Sequence, residues 1–270
     1  MRKFFTWLKV IAKVLPSLLH YYFFVVLKQI RHKEKYSINL RYQNFRLMVI
    51  KILNAFNVKI IVEGKNYLNE LGEKGLYLAN HVGGIDPLVL VAISEKPITF
   101  AAKKELGNKI VIREIKQLLD LILLDRENVM NQIHEIKTMV NTIKDPKGFN
   151  LGIFPEGTRN KQLDDKCLEF KAGSVKVGYM AKAKIVPITI WGTFRVLSTK
   201  HYLKEYPIFV KFDEPIGPDD YSNISSAELA ENIRQQVSKN LISIKEKDKL
   251  FIANQKIGKK RIEYETSYKY

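Results

Sequence analysis

The sequence predicts an α/β fold: a central mixed, mostly parallel sheet flanked by helices, with an N-terminal membrane-associated helical pair in front of it. Three observations predict it. From about residue 57 onward, short apolar runs alternate with longer stretches of helical periodicity, the pattern of strands joined by helical crossovers. The formal net charge of +17 is partitioned, with 12 Lys/Arg against one acid in residues 1–60 but 25 against 23 in residues 61–244. Residues 4–27 are dense in Phe, Trp, Tyr, Leu and Val, a composition suited to a lipid interface. The chain divides accordingly into an N-terminal membrane-associated helical segment (1–56), an α/β domain (57–245) and a basic C-terminal tail (246–270), expected to be solvated.

In the first segment the longest run without a formal charge is Val14 to Leu27, 14 residues. That is short of the ~20 residues needed to cross a bilayer. Lys9 and Lys13 could lengthen it by snorkelling, so a tilted span and a surface helix both stay open. A second stretch, Tyr42 to Phe56, places Phe45, Met48, Ile52 and Phe56 at helical spacing, interrupted by Arg41, Arg46 and Lys51. The pair reads as helices in the headgroup region with basic side chains toward anionic lipid; the plainer alternative packs both wholly onto the domain. No small-residue cleavage pattern follows the apolar stretch, which argues against a signal peptide. The aliphatic character argues against a nucleic-acid-binding arm.

In the middle segment the strand candidates are Lys59–Val62, Leu76–Ala79, Ile98–Ala101, Leu121–Leu124, Leu151–Phe154, Ile185–Ile190 and Ile208–Phe212. The helix candidates are Pro87–Ser94, Glu105–Leu118, Val129–Thr142, Ser174–Ala181 and Ala227–Ile244. Ligands of such sheets gather beyond the carboxyl ends of the strands. That rule assigns Asn80-His81, Lys103, Asp125-Arg126 and Pro155 to Arg159 to one zone.

Within that zone a histidine can take a proton from an alcohol, and a carboxylate beside it can fix its tautomer. His81 and Asp86 are five residues apart, about 140° around a regular helix at ~100° per residue. They meet only if the chain turns, and Gly83-Gly84 makes a turn sterically easy. In Phe154-Pro155-Glu156-Gly157-Thr158-Arg159, a strand runs into a loop whose arginine offers a fork for phosphate oxygens. An ordinary turn with a solvated arginine is the competing reading. Lys103-Lys104 and Asp125-Arg126 add cations at the same edge. Cys167, the single cysteine, has no histidine partner in sequence and no serine has a nucleophile-elbow setting, so a covalent intermediate on a side chain is disfavoured. No Cys/His cluster has metal-ligand spacing, and no metal is expected.

In this order the blocks resemble the 1-acylglycerol-3-phosphate acyltransferases, within the wider glycerolipid acyltransferase superfamily. The matching blocks are Asn80-His81 with Asp86; Lys103-Lys104-Glu105-Leu106 followed by Asp125-Arg126; Phe154 to Arg159 backed by Phe170-Lys171-Ala172-Gly173; and Val186-Pro187-Ile188-Thr189-Ile190. The resemblance covers roughly residues 57–215. It implies His81 as base with Asp86 as its partner. Lys103, Arg126 and Arg159 would surround the acceptor phosphate, Glu156, Gly157 and Thr158 would shape its pocket, and Pro187 would support the acyl side. It implies acyl-CoA or acyl carrier protein as donor, lysophosphatidic acid as acceptor, no cofactor, a membrane phospholipid surface as partner and no nucleic acid. The expected location is the cytoplasmic face of the cell membrane, peripheral or monotopic. Two positions depart from the family: Asp120 stands near a usual Gly, and Asn160 follows Arg159 where Ser is usual. An alternative acceptor, such as glycerol 3-phosphate or another lysophospholipid, and a non-enzymatic basic binding protein are the competing functions.

Overall fold

In the computed structural model, the structure describes residues 12, 15–70, 75–125, 129–198, 203–257 and 267–268. The strands are β1 (Val58–Glu63), β2 (Gly75–Ala79), β3 (Ile98–Lys103), β4 (Ile122–Leu124), β5 (Asn150–Ile153), β6 (Lys184–Trp191), β7 (Tyr206–Phe212) and β8 (Ser267–Tyr268). They form one sheet in the order β4-β3-β5-β2-β6-β7-β1-β8. The run from β4 to β6 is parallel throughout. The direction reverses at β6–β7, and β1 then pairs parallel with β7. The carboxyl ends of β2, β3, β4, β5 and β6 therefore share one edge.

The central strands are buried on both faces, which is why they read as continuous apolar runs and not as alternation. Strand periodicity still sorts their side chains. Tyr77 and Ala79 of β2, with Val186, Ile188 and Ile190 of β6, enter one core layer. Leu76 and Leu78, with Ile185 and Trp191, enter the other. The first layer is closed by α2 (Ile38–Ala55), α4 (Asp86–Ile93) and α5 (Ile110–Leu119). The second is closed by α6 (Val129–Lys144), α7 (Ala172–Ala181) and α9 (Ser226–Ile257). Short helices α1 (Leu27–Arg31), α3 (Asn66–Glu70) and α8 (Pro218–Tyr221) complete the set used here.

The N-terminal helices are of two kinds. Residues 15–21 lead through a π-helical turn, Tyr22–Val26, into α1. Leu15, Leu19 and Phe23, at four-residue spacing, are exposed together with Phe24, so an apolar ridge faces outward. In α2 the Ser37 hydroxyl caps the first turn by accepting from Leu40 N at 3.2 Å. Its Tyr42, Phe45, Val49 and Leu53 are buried in the domain core, while Leu40 and Leu47 stay exposed. The inner face of the second helix thus belongs to the domain. Among the described residues no helix is long and apolar enough to cross a membrane; Lys9 and Lys13 lie outside them.

Two predicted helices differ from those observed. The segment predicted as Glu105–Leu118 is a 3-10 turn, Lys104–Asn108, followed by α5. Gly107 lies against Leu123, where a Cβ would clash, and Lys109 is extended at φ −74°, ψ 132°, so one straight helix cannot form. The last helix continues beyond Ile244 to Ile257. Phe251 is buried against the core and Asp248 pairs with Arg195, so the first part of the predicted tail is packed rather than solvated. The alternating charges of residues 245–249 hid that buried acid.

Candidate active site

β2 ends beside β6, and Asn80 extends that pairing with its side chain. Its Nδ2 donates to Ile190 O at 3.0 Å, and its Oδ1 accepts from Ile190 N at 2.7 Å. This bracing fixes where the chain leaves the sheet, so His81 projects from a rigid point. Gly83 and Gly84 then turn the chain, with Asp86 N donating to Gly83 O at 3.4 Å. Asp86 becomes the first residue of α4, followed by Pro87. A helix start suits both: proline lacks an N–H that would be unsatisfied there, and the dipole favours a carboxylate.

The turn brings the two predicted residues together. His81 Nδ1 lies 2.7 Å from Asp86 Oδ2. The same oxygen accepts Val82 N at 2.8 Å and Gly83 N at 2.9 Å. The other oxygen, Oδ1, accepts the Thr193 hydroxyl. Asp86 is fully buried, and the His81 side chain keeps 20% exposure. A buried carboxylate with this set of donors stays an acceptor, so His81 carries its proton on Nδ1 and leaves the Nε2 lone pair free. The ring stacks on Phe154, centroids 4.4 Å apart at 31°.

The Phe154–Arg159 loop follows β5, which is hydrogen-bonded to β2. It grips His81 through the backbone. Glu156 Oε1 accepts His81 N at 2.9 Å, and Asn160 N donates to His81 O at 2.7 Å. Glu156 is buried, and burial pushes its carboxyl up to about 7 against the opposing backbone donors of His81 and Leu168; the Asp86 charge pushes the same way. Gly157 adopts φ +66° and closes a turn on Phe154 O at 3.0 Å, a conformation that favours glycine. Lys171 N holds Pro155 O at 3.1 Å, so the Phe170–Gly173 block braces the loop from behind. Thr158 and Arg159 are exposed. A Cβ built on Gly84 would come within 3.4 Å of Arg159 Nη1, which places the guanidinium directly over the His81–Asp86 turn.

The other predicted cations are spread along the edge. Lys103 is exposed at the end of β3, two strands from β2, or roughly 10 Å away at ~4.8 Å per strand. Lys104 is paired with Asp125 at 2.8 Å. Arg126 lies outside the described residues.

Both departures from the family pattern have local explanations. Asp120 ends α5 at φ +52°, the left-handed position where glycine is at ease. Its carboxylate pairs with Lys33 and, at 3.3 Å, with Arg41, and Thr99 at the start of β3 donates to its backbone oxygen. It therefore sits at the amino edge of the sheet, roughly 13 Å from the site at ~3.3 Å per residue. Asn160 spends its amide inside its own loop, donating to Lys166 O and accepting Gln162 N at 3.1 Å.

Sequence reasoning did not single out Thr193, Asn160 or the Phe154 ring as parts of the site. Thr193 follows β6 by two residues and lies 107 positions beyond Asp86; only the shared sheet edge could have pointed to it. Cys167 is buried, and burial pushes its thiol up to about 12, so at neutral pH it holds its proton and is a poor nucleophile.

The sequence model of a family described as Acyltransferase matches residues 59–191, a span holding His81, Asp86, Lys103, Arg126 and the Phe154–Arg159 loop but not Thr193. A Mycoplasma pneumoniae protein named probable 1-acyl-sn-glycerol-3-phosphate acyltransferase is 32% identical over 218 residues, covering 76% of this chain and 79% of that one. A Borreliella burgdorferi protein named 1-acyl-sn-glycerol-3-phosphate acyltransferase is 25% identical over 193 residues, covering 70% and 74%. The crystal structure of a Thermotoga maritima 1-acyl-sn-glycerophosphate acyltransferase superposes with a TM-score of 0.68 at 23% identity, covering 91% of this chain and 98% of that one. It shares the fold.

Proposed function

The chain belongs to the 1-acylglycerol-3-phosphate acyltransferase family, and from that premise we propose that it transfers a fatty acyl group from acyl-CoA or acyl carrier protein to the free hydroxyl of 1-acylglycerol 3-phosphate, giving phosphatidic acid. The observation that carries this reading is the His81–Asp86 pair at 2.7 Å with the guanidinium of Arg159, which has no acidic partner among the described residues, above the same turn.

His81 Nε2 takes the proton of the acceptor hydroxyl as its oxygen attacks the thioester carbonyl. The imidazolium that forms is stabilised by the Asp86 carboxylate. Collapse of the tetrahedral intermediate expels the thiolate, which leaves with the proton returned by His81. No covalent enzyme intermediate is needed. Arg159 binds the acceptor phosphate by its planar fork, Lys103 adds positive charge along the edge, and Arg126 is a further cation for the phosphate. Glu156 shapes the pocket from beneath by fixing the His81 backbone, Gly157 shapes it by turning the loop, Thr158 lines it, and Pro187 supports the acyl side.

The acceptor is an amphiphile held in a membrane, so the enzyme must reach a lipid surface. The exposed ridge of Leu15, Leu19, Phe23 and Phe24 lies on the same helical stretch as Lys28 and Arg31. Apolar insertion combined with basic contacts to anionic headgroups supports a monotopic placement on the cytoplasmic face. The test is direct. Purified protein is given lysophosphatidic acid with acyl-CoA or acylated carrier protein, and the lipid product is identified by mass. Phosphatidic acid from one donor supports the reading and assigns the donor; no acylated product from either would refute it.

A further inference from the structure

The His81–Asp86 pair has a third member supplied from a distant part of the chain. After β6, Gly192 adopts φ +99°, and a Cβ there would collide with Pro207 O. Only glycine turns comfortably at such an angle, and the turn starts the short 3-10 helix Thr193–Arg195. Gly83 supplies the matching space. Any side chain there would strike the Thr193 hydroxyl and come within 2.8 Å of Phe194 N. The turn is anchored from behind by Arg195, buried and paired through Nη1 with Asp248 Oδ1 at 2.9 Å. Asp248 also accepts Trp191 Nε1 at 2.9 Å. Both ends of the Trp191–Arg195 turn are thus tied to one buried carboxylate of α9.

The turn delivers a single polar atom to the site. Thr193 is buried, and its hydroxyl donates to Asp86 Oδ1. Among the described residues every other donor on Asp86, including His81 Nδ1, uses Oδ2. Without Thr193, Oδ1 would be a buried carboxylate oxygen with no partner. The carboxylate could then rotate about its Cβ–Cγ bond and share His81 between two oxygens.

We propose that Thr193 is a positioning residue for acyl transfer: its hydroxyl locks the rotation of the Asp86 carboxylate and thereby the orientation of the His81 ring. This rests on His81 acting as the base. Thr193 is buried with its hydroxyl on Asp86, so its effect falls on kcat and leaves substrate binding alone.

The test compares T193V, T193A and T193S with wild type and with H81A, in the full-length enzyme. Valine keeps the shape and removes the donor; serine keeps the donor and removes a methyl. T193V should lower kcat by about 10- to 100-fold, the range for losing a hydrogen bond to a buried charged group, with both KM values within about twofold. T193S should return kcat to within about threefold of wild type. If T193V loses its cooperative thermal transition, T193A carries the same expectation. Wild-type kcat in T193V or T193A beside an inactive H81A would overturn the role of Thr193 and leave the base intact. A loss in T193S as large as that in T193V would show that the hydroxyl alone does not sustain kcat, and would also overturn it. Turnover in H81A would instead remove the reading on which the proposal rests.

Discussion

Glu156 holds the backbone of His81: its Oε1 accepts His81 N at 2.9 Å, from a side chain only 5% exposed. Burial raises this carboxyl from 4.5 to about 7, which gives a stability signature. Between those values the native state binds a proton that the unfolded chain has released. Stability therefore falls as pH rises from about 4.5 to about 7, by about 3 kcal/mol at ~1.4 kcal/mol per unit, and the loss is complete above the native value. Glu156→Gln removes this titration. Denaturant unfolding of the variant across pH 5 to 8, referenced to wild type, should show its relative stability rising with pH. A constant difference would mean that Glu156 titrates normally.

Arg159 is exposed, stands over Gly84 and has no acidic partner among the described residues. If it holds the acceptor phosphate, Arg159→Ala should raise the KM for lysophosphatidic acid by about 10- to 100-fold, the cost of a charge-assisted hydrogen bond. The donor KM should stay put. Steady-state kinetics with each substrate varied in turn reads both, and an unchanged acceptor KM assigns the arginine elsewhere.

Arg41, buried on α2, donates to the carbonyls of Gln117 and Leu118 and to the Asp120 carboxylate. It thereby caps the last turn of α5 and ties α2 to it. Arg41→Met should cost about 2–3 kcal/mol in urea unfolding, because it leaves buried carbonyls unpaired. Asp120→Gly should cost less than about 1 kcal/mol, since glycine accepts φ +52° freely and the lost carboxylate is more than one-third exposed.

The outward ridge predicts how the protein leaves a membrane. Apolar burial is not screened by salt, whereas headgroup pairing is. The enzyme should stay with vesicles containing anionic lipid through 0.5–1 M salt, roughly the range in which charge contacts fade, and should release into detergent. Leu19→Glu combined with Phe23→Glu should shift it to the supernatant in a flotation assay. Clean release of wild type by salt alone would mean that charge does the holding.

Much of this was readable in the residues because burial on both faces leaves apolar runs. All seven longer strands fall within two residues of their predicted limits at each end. The edge-of-sheet rule gathers His81, Glu156 and Arg159 at the edge where the structure has them, and the turn at Gly83-Gly84 brings Asp86 to His81. What the sequence hid was non-local or disguised. Thr193 reaches Asp86 across 107 positions, and no spacing rule spans that. Asp248 sits among lysines and reads as a solvated charge until its pairing with Arg195 is seen. Asp120 reads in sequence only as a departure from a usual Gly; its backbone angle and its bonds to Lys33 and Arg41 place it at the far edge.

The central claim is that one imidazole, held by one carboxylate, removes the acceptor's proton. It is tested most directly by measuring phosphatidic acid formed by His81→Ala, with folding checked by an unchanged thermal transition. The rate should fall by about 10²- to 10⁴-fold, the usual contribution of a general base. Wild-type turnover in a folded His81→Ala protein would contradict it.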